Sequence, residues 1–213
     1  MNSGNAILTH ILRSGKVPNM ILVGGEGVGK SSYINALLRR LYGDNNGNMF
    51  HIKLNASSSR GLKSIRERVV QFISTKSMLP CPFKTVIFEE ADCMTDDAQF
   101  ALRRIVESNL YDIRYIFISN NISPIDKALR SRMITIYFPK PSGELIKAIV
   151  KEHGLEWGMC DKLIEYRKRD IRSILKTLIF LRDNKRIMQD DLIFTSSCKN
   201  DRAMYYGISQ KLI

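Results

Sequence analysis

The run Gly24-Gly25-Glu26-Gly27-Val28-Gly29-Lys30-Ser31 satisfies the spacing G-x-x-x-x-G-K-[ST]. Each residue type in it has a chemical use toward a nucleoside triphosphate. Glycines let backbone N–H groups close around phosphate oxygens, the lysine ammonium reaches the terminal phosphates, and the hydroxyl faces a bound Mg²⁺. The expected phosphate-contacting set is therefore Gly24, Gly25, Glu26, Gly27, Val28, Gly29, Lys30, Ser31 and Ser32, with Ser31 on the metal side. Further along, TVIFEEAD (85 to 92) delivers Glu89, Glu90 and Asp92 directly after an apolar run. In that place Glu89 would hold Mg²⁺ through water, and Glu90 would orient or deprotonate the attacking water. Acidic residues at a strand end are often no more than solvated caps. Beside a phosphate loop they become a hydrolytic pair.

For these groups to converge, the loop must follow a strand and open a helix. NMILV (19 to 23) is a short apolar run that feeds the glycines, and SSYINALLRRLYG reads as a helix stopped by Gly43. Strand patterns recur at 50 to 56, 83 to 91, 114 to 121 and 133 to 138, with helical periodicity at 62 to 74 and 96 to 108. This alternation predicts an α/β fold, a mainly parallel sheet flanked by helices. PKPS (139 to 142) is the first candidate linker. After it the strands stop: GELIKAIVKEH, CDKLIEYRK and DIRSILKTLIFLRDN carry apolar residues at helical spacing. The expected organisation is a nucleotide-binding domain over 1–139, a small all-helical lid over 140–195, and a tail or short helix over 196–213.

The 213-residue chain carries 33 Lys+Arg against 21 Asp+Glu, a formal charge of +12, which points to a polyanionic partner. SRGLKSIRERV places Arg60, Lys63 and Arg66 three apart, with Arg68 nearby, so that several can share one helix face suited to a phosphate backbone. Cys81, Cys93, Cys160 and Cys198 form no CxxC pair, which excludes a zinc site or disulfide framework of the usual spacing. The N-terminus lacks the apolar core of a signal peptide, and no run approaches the roughly 18 apolar residues of a membrane span. The expectation is an intracellular, soluble protein without a membrane partner.

LNASSSRG, FEEADCMTDDAQFALRRIVE, FISNN, LRSRM and RDIRSIL occur in the order found in small subunits of sliding-clamp loaders. Over roughly residues 17 to 190 the chain resembles replication factor C small subunits, within the AAA+ class of P-loop ATPases. The resemblance implies a P-loop AAA+ domain followed by a helical lid, with ATP and Mg²⁺ as cofactors. Other clamp-loader subunits, a sliding clamp and primer–template DNA would be the partners. The implied function is to help open the clamp and place it on that DNA during replication, in the nucleus or another site of replication. Asn120 then matches a polar sensor of the γ-phosphate. Arg132 matches an arginine finger acting on ATP held by a neighbouring subunit, and Arg172 matches a second sensor in the lid. The face of Arg60, Lys63 and Arg66 would lie along the duplex. Arg103 and Arg104 are weaker phosphate contacts, with a solvated helix face or an ion pair as the alternative. Met78 and Leu79 sit where the family meets its clamp, although core packing is the simpler reading of two apolar residues.

Several positions depart from the family pattern. Glu89 stands where the family has Asp, and the extra methylene must be absorbed by the metal–water shell. Weak, partner-dependent ATP hydrolysis is therefore expected. Ser57-Ser58-Ser59 replaces acidic residues, and Met133 replaces Cys. The chain also begins close to the phosphate loop, so the expectation is a reduced N-terminal segment at the adenine pocket and weaker base recognition, and it ends after the lid, so the expectation is a subunit without a collar domain. Two alternatives stay open from sequence: a non-hydrolysing structural subunit of such a complex, and a stand-alone AAA+ ATPase in DNA repair.

Overall fold

The computed structural model describes residues 9–11, 13–43, 47–56, 62–75, 83–108, 113–154 and 160–183. By internal contacts the chain divides into two units, Met1–Pro141 and Ser142–Ile213.

In the first unit, strand β1 (Met20–Val23) leads through the glycine loop into helix α1 (Lys30–Tyr42), followed by the short helix α2 (Gly47–Phe50). Strand β2 (His51–Asn55), helix α3 (Leu62–Ser74), strand β3 (Lys84–Glu89), helix α4 (Asp96–Ser108) and strand β4 (Ile113–Ser119) continue the alternation. A one-turn 3₁₀ helix, Ala91–Cys93, lies between β3 and α4. Helix α5 (Lys127–Arg130) and strand β5 (Ile134–Tyr137) complete the unit.

The five strands order as β2-β3-β4-β1-β5, and every pairing is parallel. A sheet covered by helices on both faces needs apolar side chains on both, and β1 shows this most plainly, with all four residues buried. Because successive side chains point to opposite faces, Ile21 and Val23 join Val86, Phe88 and Phe117 against Leu102 and Val106 of α4. Met20 and Leu22 join Ile87, Ile116 and Ile136 against Ile34, Leu37 and Leu38 of α1. Phe88 and Phe117 are paired in register and meet edge to face, with ring centroids 4.9 Å apart.

Register brings the strand ends level. Val23 is aligned with both Ser119 and Tyr137, and Phe88 is aligned with Phe117. The segments after β1, β3 and β4 therefore leave the sheet side by side at its carboxyl edge, where open α/β sheets bind ligands.

In the second unit, helices α6 (Gly143–Glu152), α7 (Cys160–Tyr166) and α8 (Ile171–Asp183) bury Ile146, Val150, Ile164, Ile174 and Leu178 together. Two short polar side chains begin its helices: Ser142 Oγ accepts from Leu145 N (3.2 Å), and Asp170 Oδ1 accepts from Ser173 N (3.2 Å). Among the described residues no helix is long and apolar enough to cross a membrane.

The boundaries differ from the sequence reading in small ways. Helix α1 starts at Lys30 rather than Ser31, and Phe50 ends a helix instead of opening a strand. The 3₁₀ turn and α5, at three and four residues, are too short to display a period. Arg60, Met78 and Leu79 and the tail beyond 183 lie outside the described residues.

Phe117 is fully buried at the centre of the sheet. Phe117→Ala should cost about 3–5 kcal/mol through lost transfer energy and a residual cavity, read as a lower urea midpoint at unchanged slope.

Candidate nucleotide-binding site

The loop is held by the strand ends it leaves. Gly24 N donates to Ser119 O (3.3 Å) and Phe138 N donates to Val23 O (2.7 Å), which wedges Gly24 between the continuations of β4 and β5. A Cβ at Gly24 would lie 2.7 Å from Phe138 O and 2.9 Å from Phe138 Cβ, so no larger residue fits without moving backbone. Gly27 and Gly29 have φ of +64° and +100°, the left-handed region in which glycine carries no steric penalty. Gly29 O then accepts from Tyr33 N (2.9 Å) and starts α1. No acidic side chain occupies the first turn of α1, so the partial positive charge of the helix N-terminus is left available to an anion. Tyr33 lies edge-on to Phe138, with centroids 6.0 Å apart, and burial pushes its phenol up to about 12.

Lys30 is buried, at 7% exposure. Its ammonium donates to Gly24 O (2.5 Å), Gly25 O (2.7 Å) and Asn120 Oδ1 (2.9 Å). A buried ammonium is costly unless its donors find acceptors, and here two come from the loop and one from the residue just past β4. The turn carrying Asn120 is closed by Ser119 Oγ donating to Asn121 O (2.5 Å). Ser31 is half-buried in the first turn of α1, Ser32 is exposed there, and Glu26 is exposed in the loop.

Glu89 is the last residue of β3, half-buried, and its carbonyl accepts from Ala56 N (2.9 Å). Glu90 has φ +54° and ψ +44°, a left-handed conformation uncommon outside glycine. The chain turns sharply at this residue, and its exposed side chain stands at the carboxyl edge of the sheet. Cys93 N donates back to Glu90 O (2.9 Å), which closes the turn. Among the described residues there is no group of three or more His, Cys, Asp or Glu side chains that could hold a metal unaided. A hydroxyl and a single carboxylate, Ser31 and Glu89, suit Mg²⁺, which favours one or two protein ligands together with substrate phosphates and water.

Gln99 was not singled out from sequence. It is 3% exposed in α4. Its Nε2 donates to Met94 O (3.3 Å) and Pro124 O (2.9 Å), and its Oε1 accepts from Asp126 N (2.7 Å). One side chain thus ties the segment after Glu90 to the loop that runs from Asn120 to α5. The signal was present: Gln99, Leu102 and Val106 follow the i, i+3, i+7 spacing of a buried face, and an amide on such a face must be satisfied internally.

Arg132 lies in the turn after α5, with Arg132 N donating to Leu129 O (3.1 Å). Its guanidinium contacts Glu107, Nη2 to Oε1 at 2.9 Å, and is 39% exposed. Arg172 is exposed in the first turn of α8, in the second unit. Lys63 and Arg66 lie on the backbone of α3. The structure therefore brings Lys30, Asn120 and the two glutamates to one edge, with Arg132 on the same unit.

A nucleotide loop at the carboxyl edge of a β2-β3-β4-β1-β5 parallel sheet defines the class. The model of the ATPase family associated with various cellular activities (AAA) matches residues 20–140, and the chain belongs to that family. Its relatives narrow the class further. Replication factor C subunit 3 of Schizosaccharomyces pombe is 35% identical over 179 residues, covering 80% of this chain and 52% of that protein. Replication factor C small subunit 2 of Pyrobaculum islandicum is 34% identical over 192 residues, covering 87% of this chain and 60% of the relative. The chain thus spans between about half and three-fifths of these relatives. Among solved structures, Orc1 of Aeropyrum pernix in complex with DNA superposes with a TM-score of 0.66 at 14% identity, covering 99% of this chain and 66% of that one; this likeness concerns the fold alone.

Gly24→Ala should weaken ATP binding at least tenfold, because the methyl group must displace the Phe138 backbone and with it the loop. Titration with a fluorescent ATP analogue checks this, and a melting temperature close to wild type separates a loop effect from unfolding.

Proposed function

We propose that the chain acts as an ATP-dependent subunit of a sliding-clamp loader, helping to open a clamp and place it on primer–template DNA during replication. The observation that carries the reading is the contact of Lys30 with Asn120 across the loop (2.9 Å), taken with relatives named as replication factor C subunits. It joins the residue that would grip the terminal phosphates to the one that would sense them.

In this reading the backbone N–H groups from Gly25 to Gly29 wrap the phosphates, and the Lys30 ammonium exchanges loop carbonyls for phosphate oxygens. Asn120, already on Lys30, registers the terminal phosphate. Glu90 accepts the proton of the attacking water or orients it. Ser31 and Glu89 would hold Mg²⁺, whose charge offsets that building on the phosphate oxygens. Arg132 serves the ATP of a neighbouring subunit, and Arg172 is the candidate second sensor of the helical unit. Hydrolysis then depends on partner subunits, since the finger for this chain's ATP must come from outside it. Arg60, Lys63 and Arg66 would follow the duplex backbone without reading its sequence.

In a complex assembled with its partner subunits, Glu90→Gln should lower the ATP turnover of this chain's site about 100-fold or more, while Lys30→Ala should abolish nucleotide binding there. Primer–template DNA with the clamp should stimulate the wild-type site. Turnover equal in the wild type and in both variants would remove the enzymatic reading and leave the structural-subunit alternative.

Affinity for primer–template DNA should fall steeply with salt, because cations on the phosphates are released on binding. Neutralising Arg60, Lys63 and Arg66 one at a time should each reduce the log–log salt slope by about one. An unchanged slope, measured by fluorescence anisotropy, would reject that face.

A further inference from the structure

We propose that Glu107 is a positioning residue for Arg132, holding its guanidinium in the orientation from which it serves a neighbouring subunit's ATP; the inference rests on the finger reading above.

An arginine finger needs a fixed base and a fixed direction. The base is secured by backbone: Arg132 N donates to Leu129 O (3.1 Å) and Met133 N to Arg130 O (3.2 Å), with Leu129 and Met133 buried on either side. The direction is secured by side chains. Nη1 donates to Ala128 O (2.7 Å) and contacts Ser131 Oγ (3.3 Å), while Nη2 meets Glu107 Oε1 at 2.9 Å. Ala128 and Ser131 belong to the finger's own turn. Glu107 belongs to α4 and adds a contact from a separate element.

The setting of Glu107 suits this task. Phe100, Arg103, Arg104 and Glu107 fall at i, i+3, i+4 and i+7 along α4, one continuous face. Arg103 and Arg104 each lie 5.0 Å from the centroid of the exposed Phe100 ring. Arg103 Nε is also 3.8 Å from Glu107 Oε1, the oxygen that binds Arg132. The carboxylate therefore sits between two guanidiniums. Without it, Arg103 and Arg132 would face each other as like charges, and the finger would be pushed away from α4. The two elements are also tied upstream, because Gln99 of α4 bonds Pro124 O and Asp126 N just before α5.

Stability is a poor explanation for this pair. Its side chains are 39% and 41% exposed, and exposed ion pairs contribute little to folding. What such a contact does control is the direction of a long, flexible side chain. The guanidinium has five N–H donors, so those not engaged on this subunit stay available for a phosphate.

A double-mutant cycle tests the proposal in the complex assembled with the neighbouring subunits, measuring ATP turnover at the neighbour's site. Glu107→Ala should lower kcat about fivefold, with KM for ATP nearly unchanged, since the finger acts mainly in the transition state. Glu107→Gln, which keeps an oxygen acceptor, should recover to within about twofold of wild type. In an Arg132→Ala background, Glu107→Ala should change kcat by less than about 1.5-fold, because the group it positions is gone. A similar loss in both backgrounds would mean a general structural role and overturn the proposal, as would wild-type turnover in Glu107→Ala beside a slow Arg132→Ala. Wild-type turnover in Arg132→Ala itself would overturn the finger reading and this inference with it. Melting temperatures within about 2 °C of wild type are expected for the Glu107 variants, given their exposed site.

Discussion

A buried ammonium must find acceptors or give up its charge, and Lys30 finds them on two separate pieces of chain. Gly24 O and Gly25 O come from its own loop, and Asn120 Oδ1 comes from the turn past β4. The contact with Asn120 constrains the rest of the unit. It requires β1 and β4 to be neighbours, to run parallel and to end level, which is the observed pairing of Val23 with Ser119. It also requires a loop tight enough to turn its carbonyls toward Lys30, which explains why Gly24 has no room for a side chain against Phe138.

From that contact the site extends outward along the carboxyl edge of the sheet. Strand β3 pairs with β4 on the side away from β1, so Glu89 and Glu90 emerge beside Asn120 rather than beside the loop. The left-handed turn at Glu90 breaks the extended chain at the point where a second carboxylate is wanted, and the 3₁₀ turn after it leads into α4. Backbone strain at a candidate catalytic residue is tolerated because the strand behind it is buried from Thr85 to Phe88.

Helix α4 then connects the near half of the site with the far half. Its buried face carries Gln99, which clamps the loop between Asn120 and α5, and its exposed face carries Glu107, which meets Arg132. One helix thus touches the segment after Glu90, the loop between Asn120 and α5, and Arg132. The route runs through hydrogen bonds and a close ion pair, so a shift of α4 would be felt at all three points.

Much was legible in the sequence because its signals are local. The glycine spacing around Lys30, the carboxylates after an apolar strand, and the helical and alternating periods each need only a short window, and they located the loop, the parallel α/β layout and most element bounds. The sequence by itself also determined which groups can do chemistry, since residue type and spacing decide whether a backbone can wrap a phosphate or a carboxylate can end a strand. What it could not determine is which distant groups meet. Strand order placed Asn120 on Lys30, although they lie far apart in the chain. Packing of α4 against the loop before α5 satisfied Gln99, and the path of the chain after α5 brought Arg132 within 2.9 Å of Glu107. Such pairings depend on register and helix packing, which arise only when the whole sheet buries both of its faces at once.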